Sequence, residues 1–204
     1  MSLSDKICVV GLTGQSGAGK SSVSRIFQKN GFPIIDADEI SRSVAQTNEF
    51  LREVRELFPD CVDELGLDRK KLAAIVFNSP DKLKSYTDII YPYITKNVLT
   101  TLTGFADDGA NIVVLDAPTL FESGLNDICS VIVSVVAPMD IKIRRILERD
   151  GIPVEAVTSR LSAQKSEEYF TLKSDYVICN DADLGSLEAK TAEVISKIRE
   201  RHNG

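Results

Sequence analysis

Eight residues, Gly14-Gln15-Ser16-Gly17-Ala18-Gly19-Lys20-Ser21, fit the pattern G-x-x-x-x-G-K-S. In a loop of this kind the glycines let successive backbone N–H groups turn inward and cradle phosphate oxygens. The lysine reaches the β- and γ-phosphates of a nucleoside triphosphate, and the serine hydroxyl sits on Mg²⁺. Lys20 and Ser21 are the candidates for those two roles.

Carboxylates and guanidinium groups supply the remaining chemistry. Asp36 and Asp38 end a short apolar run, Pro33-Ile34-Ile35. In extended backbone, residues two apart share a face, so both carboxylates are expected side by side. One could take a proton from a substrate hydroxyl while the other supports Mg²⁺ or the loop; turn chemistry is the alternative. Asp116 closes the run Ile112–Leu115, either as a magnesium-side carboxylate or as a strand-end turn residue. Arg145 and Arg149 are four apart on one helix face, Arg144 can pair with Glu148, and Arg160 follows. Such arginines either stabilise charge in phosphoryl transfer or form a solvated, ion-paired surface. The chain has one histidine, His202, close to its end, so any general base is expected to be a carboxylate.

These groups need strands and helices to hold them. Ile7–Leu12 reads as a strand and Ser21–Lys29 as a helix with Val23, Ile26 and Phe27 on its apolar face. Strand, glycine loop and helix is the context that the phosphate loop requires. Further strands are expected at 33–35, 112–116, 130–136 and 176–178. Residues 39–105 carry helical stripes, with a turn at Gly66-Leu67-Asp68 and an interruption at Pro92. Pro138 opens a helix through Arg149, Val154–Ser174 is a polar segment, and a closing helix runs from Ser186 or Leu187 to Arg201. Apolar strands alternating with helices imply an α/β fold with a parallel sheet covered on both faces. Ligands bind beyond the carboxyl ends of such strands, where the loop, Asp36, Asp38 and Asp116 all fall.

The composition bounds the alternatives. At 204 residues with 43% hydrophobic and 26% charged residues, the chain is an ordinary globular protein. A net charge of −6 argues against broad nucleic-acid binding. No apolar run reaches membrane-spanning length and no signal segment is evident, so no membrane partner and a cytoplasmic location are expected. Cys8, Cys61, Cys129 and Cys179 form no C-x-x-C motif and read as reduced, small apolar residues. Thr119, where the motif after Asp116 needs glycine, argues against a GTPase switch, as does Leu172-Lys173-Ser174-Asp175 where guanine recognition needs Asn or Thr first.

The residues together resemble the dephospho-coenzyme A kinase family. The resemblance rests on Gly11-Leu12-Thr13-Gly14 with the phosphate loop, Ile35-Asp36-Ala37-Asp38 with Arg42, and Leu67-Asp68-Arg69. It continues through Asp116-Ala117-Pro118-Thr119-Leu120-Phe121-Glu122, Arg145, Arg149-Asp150, Arg160-Leu161 with Gln164, and Asp175-Tyr176-Val177-Ile178 with Asn180. It implies a P-loop core (1–38, 106–150 and 175–204) with a five-stranded parallel sheet flanked by helices. A helical coenzyme-binding domain (39–105) and a lid (151–174) complete it. The implied reaction is ATP-dependent phosphorylation of the ribose 3′-hydroxyl of dephospho-coenzyme A, with Mg²⁺. In it Asp38 is the base, and Lys20 and Arg145 are catalytic. Gly14, Ser16, Gly17, Ala18, Gly19, Lys20, Ser21, Ser22, Arg145 and Arg149 bind ATP. Asp38, Arg42, Tyr91 and Glu122 meet the acceptor. Ser21 holds Mg²⁺, with Asp36 or Asp116 reaching it through water. The oligomeric state is left open, with a monomer favoured. Two positions depart from the family's pattern: Tyr91-Pro92 stands where His-Pro is usual, and Gln15-Ser16 where Gly-Ile is usual. The alternatives are another small-molecule or nucleotide kinase on the same fold, or a non-catalytic ATP-binding protein.

Overall fold

The computed structural model describes residues 7–203; residues 1–6, which the sequence reading counts with the core, and residue 204 lie outside the described residues. The elements run β1 (Cys8–Gly14), α1 (Lys20–Lys29), β2 (Ile34–Asp36), α2 (Ala37–Val44), α3 (Asn48–Leu57), β3 (Val62–Asp63), β4 (Gly66–Leu67) and α4 (Arg69–Val76). They continue with α5 (Pro80–Asp107), β5 (Ile112–Asp116), β6 (Val131–Val136), α6 (Met139–Asp150), α7 (Val154–Ser162), α8 (Glu167–Leu172), β7 (Tyr176–Cys179) and α9 (Leu184–Asn203). Contacts divide the chain into two compact units, Met1–Ile35 with Phe105–Gly204, and Asp36–Gly104.

The first unit is built on a five-stranded sheet in the order β2-β5-β1-β6-β7. The pairs β1–β5, β1–β6 and β6–β7 are parallel. All seven residues of β1 are buried, as expected for a central strand covered on both faces. Val10, Leu12, Val114, Val133 and Val135 of the sheet pack with Val23 and Phe27 of α1 and with Ile195 and Ile198 of α9. Phe27 is fully buried, so Phe27→Ala would cost about 3–5 kcal/mol. This core fixes the strand ends: Leu12 lies opposite Asp116 and Gly14 opposite Val135.

The second unit is mainly helical. Thr47 caps α3 by accepting from the Phe50 N–H, and Asp68 caps α4 by accepting from the Lys70 and Lys71 N–H groups. Between α3 and α4 lies a small antiparallel hairpin, Val62 opposite Leu67. The Phe50 ring meets Tyr86 and Tyr93 of α5 edge-on, with centroids 6.3 and 5.7 Å away.

The turn expected at Gly66-Leu67-Asp68 is instead strand β4 followed by the cap of α4, and the chain reverses at Glu64 and Leu65. Three further expectations change. Pro92 does not interrupt its helix: α5 runs through it for 28 residues. Pro92 and Asp88 are both exposed, so the carbonyl that loses its donor lies on the wetted side. The polar segment 154–174 is two helices. Val157 and Leu161 of α7 bury against Ile146 of α6, and the Ser166 hydroxyl caps α8 by accepting from the Tyr169 N–H. Three buried apolar residues, counting Phe170, are enough to order it despite its polar composition. The third change concerns Asp36 and Asp38 and is described with the site.

Candidate active site

The phosphate loop joins β1 to α1. Gly19 is the N-cap of α1 with φ +99°, in the left-handed region, and a Cβ there would strike the Asn180 side-chain amide. Gly17 has φ +78°, and a Cβ there would lie 2.8 Å from the Lys142 carbonyl oxygen. Both positions require glycine for conformation and for space. Two helical neighbours follow: Lys20 opens α1, and Ser21 comes next and is exposed. Ser22 donates its N–H to the Gly19 carbonyl at 2.9 Å, tightening the first turn.

Lys20 Nζ is ion-paired with Asp116 Oδ1 at the end of β5, with side chains 15% and 9% exposed. Asp116 follows four apolar residues, so burial of β5 brings its carboxylate to the sheet's carboxyl edge. The Thr13 hydroxyl donates to the Pro118 carbonyl at 3.3 Å and ties the β1 end to the chain after β5.

Arg145 of α6 backs the loop. Its Nη1 donates to the carbonyls of Gly17, Ala18 and Asn180 at 3.3–3.4 Å, and its Nη2 to Asn180 Oδ1 at 3.1 Å. Asn180 Nδ2 in turn donates to the Ala18 carbonyl at 2.8 Å. Arg149 is placed differently. Its guanidinium grips Asp150 through two bonds of 2.6 and 3.0 Å, and Arg160 of α7 reaches the same carboxylate at 2.6 Å. The bonds from Arg149 and then Arg160 hold the Asp150 carboxyl well below the usual carboxylate range. Arg144 and Glu122 are exposed, Glu122 on the turn after β5.

The second unit holds the remaining expected residues. Asp36 and Asp38 do not share a strand face: β2 ends at Asp36 and α2 begins at Ala37. The Asp36 carboxylate accepts from the Glu39 N–H at 3.0 Å and caps α2, which turns the chain before Asp38. Asp38 and Arg42 are instead four apart on α2 and both exposed, on neighbouring turns of one face. Tyr91 is half-buried on α5.

Sequence reasoning missed a network around Gln15. Lys142 of α6, only 2% exposed, donates to Gln15 Oε1, and Gln15 Nε2 donates to the Lys165 carbonyl. Burial pushes the Lys142 ammonium below its ordinary value, and the charge of Glu167 opposes that. Helical spacing reaches only the burial of Lys142, which lies four from Ile146 on the buried face of α6, and not its partner. Among the described residues, no buried side-chain polar atom lacks a hydrogen-bond partner.

A glycine loop between the central strand and its helix, with its lysine held by the carboxylate of the adjacent strand, defines a P-loop protein of the kinase type. Shikimate kinase from Bacteroides thetaiotaomicron has this fold: its structure aligns at TM-score 0.56 and 17% identity, covering 94% of this chain and 98% of that one. The similarity narrows further. A dephospho-CoA kinase family model matches residues 8–186. The dephospho-CoA kinase of Corynebacterium diphtheriae is 35% identical over 189 residues, spanning 91% of this chain and 94% of that protein. A crystal structure from Thermus thermophilus aligns at TM-score 0.82 with 30% identity, covering 94% and 97% of the two chains. The chain belongs to the dephospho-CoA kinase family.

Proposed function

We propose that the chain transfers the γ-phosphoryl group of ATP to the ribose 3′-hydroxyl of dephospho-CoA, giving CoA and ADP. The observation that carries this reading is the phosphate loop with Lys20 held by Asp116 at the carboxyl edge of the sheet. The loop N–H groups from Gly17 to Ser21 would receive the β- and γ-phosphates. An ammonium has three donors; with one on Asp116, Lys20 keeps others for phosphate oxygens. Arg145 would keep the loop in shape from behind, through the carbonyls it grips. Segment 151–174 would exclude water, which otherwise takes the phosphoryl group.

Asp38 would accept the proton of the 3′-hydroxyl as that oxygen bonds to the γ-phosphorus and the bridging bond to ADP breaks. Arg42, Tyr91 and Glu122 would meet the acceptor. Hard oxygen donors suit Mg²⁺, which usually takes one or two protein oxygens and completes its shell with phosphates and water. The exposed Ser21 hydroxyl fits that pattern, with Asp36 or Asp116 reaching the ion through water, since the cap and the Lys20 pair each use one carboxylate oxygen and leave the other. When bound, the ion neutralises charge on the phosphate oxygens.

The test is ADP release from Mg-ATP, with dephospho-CoA compared against a panel of nucleosides and nucleotides. Turnover with dephospho-CoA alone is expected; turnover with a different acceptor overturns the substrate. In Asp38→Asn, kcat is expected to fall about 10²–10⁴-fold with ATP affinity unchanged. Normal turnover in that variant removes Asp38 from the role of base.

A further inference from the structure

Gln15 lies within the phosphate loop and is 6% exposed. Its side-chain amide is fixed from two sides. Lys142 Nζ, at 2.5 Å, can only donate, so the Gln15 oxygen must face it. The amide nitrogen then faces outward and donates to the Lys165 carbonyl at 2.8 Å. The next residue repeats the contact with roles reversed in kind: the Ser16 backbone N–H donates to Gln164 Oε1 at 3.0 Å. Two consecutive loop residues therefore hold two consecutive residues of the turn between α7 and α8.

That turn has a second anchor. Val157 and Leu161 of α7 pack on Ile146, one helical turn beyond Lys142 on α6. An apolar contact thus fixes one end of α7 and the polar pair fixes the turn after it. Burying an ammonium beside a neutral amide costs free energy that methionine at the same place would not. An ammonium there does one thing methionine cannot: it dictates which way the Gln15 amide points.

We infer that Gln15 and Lys142 are positioning residues for phosphoryl transfer, an amide oriented by a buried ammonium so as to dock the turn at 163–166 onto the phosphate loop. The inference rests on the kinase reading for its consequence, because the docked segment is the one that must shield the phosphates. It does not rest on that reading for the docking itself.

Hydrogen exchange of the full nucleotide-free chain separates the two. Gln15→Glu keeps an acceptor for Lys142 but has no donor for the Lys165 carbonyl; Gln15→Ala loses both; Lys142→Met keeps the volume and loses the orienting charge. In all three, amides in 163–172 are expected to exchange about tenfold faster than in the wild type, the value of one lost hydrogen bond. Amides in α9 should keep their rates, which shows that the fold is intact. In Gln15→Glu, kcat with dephospho-CoA is expected to fall about tenfold, KM for ATP to stay within about twofold, and acceptor-free ADP release to become a larger share. Unchanged exchange in Gln15→Glu and Gln15→Ala overturns the docking. Faster exchange with kcat and acceptor-free hydrolysis both unchanged overturns the positioning role. If the wild type has no turnover with dephospho-CoA but exchange still responds, the docking stands and the kinase reading falls.

Discussion

In the unit that carries the phosphate loop, the cations of the site are shielded and tied to fixed groups. Lys20 meets a buried carboxylate, Arg145 meets loop carbonyls, and Lys142 meets a buried amide. In the unit of residues 36–104, Asp38 and Arg42 stand exposed on an eight-residue helix that is capped by Asp36 and buries Ala37 and Val44. The difference matches the roles proposed for the two units. A triphosphate is read by backbone N–H groups and one lysine, so loop geometry must be built in advance and held by buried bonds. An acceptor is distinguished by side chains, which can change identity on a helix surface at little cost to stability. Substitution of Lys20 in the first unit should therefore cost both stability and catalysis; substitution of Asp38 or Arg42 in the second should cost catalysis alone.

Lys20→Ala tests that division hardest. It leaves the Asp116 carboxylate buried without its cation, which should lower unfolding stability by about 3 kcal/mol. The same change should reduce kcat about 10²–10³-fold through the lost phosphate contact. Urea unfolding and the ADP-release assay measure the two effects, and a kinetic loss with full stability would break the comparison. Arg42→Ala should show the opposite pattern. Loss of a charge-assisted bond to the acceptor should raise its KM about 10–100-fold, with KM for ATP and the melting temperature unchanged. A fall in melting temperature would mean that Arg42 supports its unit and that exposure on α2 is a poor guide to its role.

The same division explains what could be read without coordinates. The phosphate loop, the five strands and the place of Asp116 at a strand end were legible because apolar runs and glycine spacing are local signals; the pairing of Asp116 with Lys20 was not. The bounds of β5, Ile112–Asp116, match the run that predicts it. The relation of Asp36 to Asp38 was not legible, because whether an aspartate extends a strand or caps a helix depends on the residue after it folding into the helix. The split between Arg145 and Arg149 was hidden for a similar reason. Helical spacing puts them on one face, but Asp150, adjacent in sequence, claims Arg149. The Gln15 network joins residues 127 and 150 positions apart, and no periodicity reports such a contact. Helices α7 and α8 escaped because they are short: α7 buries only the pair Val157 and Leu161, and α8 only Phe170, too few positions to set a period.

Asp150 gives the smallest and most discriminating test, since it joins two arginines of the first unit that meet solvent. Arg149 and Arg160 are 60% and 44% exposed, so the cluster should contribute within about 1 kcal/mol. Its carboxyl is held down in the folded chain, so the folded state binds fewer protons than the unfolded one in acid. The contribution of Asp150 is then complete above the unfolded carboxyl value of about 3.9 and is lost as pH falls from there toward the folded value. The melting-temperature difference between wild type and Asp150→Asn should be constant from about pH 5 to 8 and shrink below about pH 4. It should also shrink in about 1 M salt, where screening acts within about 3 Å. The loss caused by Lys20→Ala should persist in the same salt, because its partner is only 9% exposed. A salt response shared by both variants would show that burial does not separate the two kinds of charge in this unit, and that the loop lysine is held no more firmly than a surface arginine.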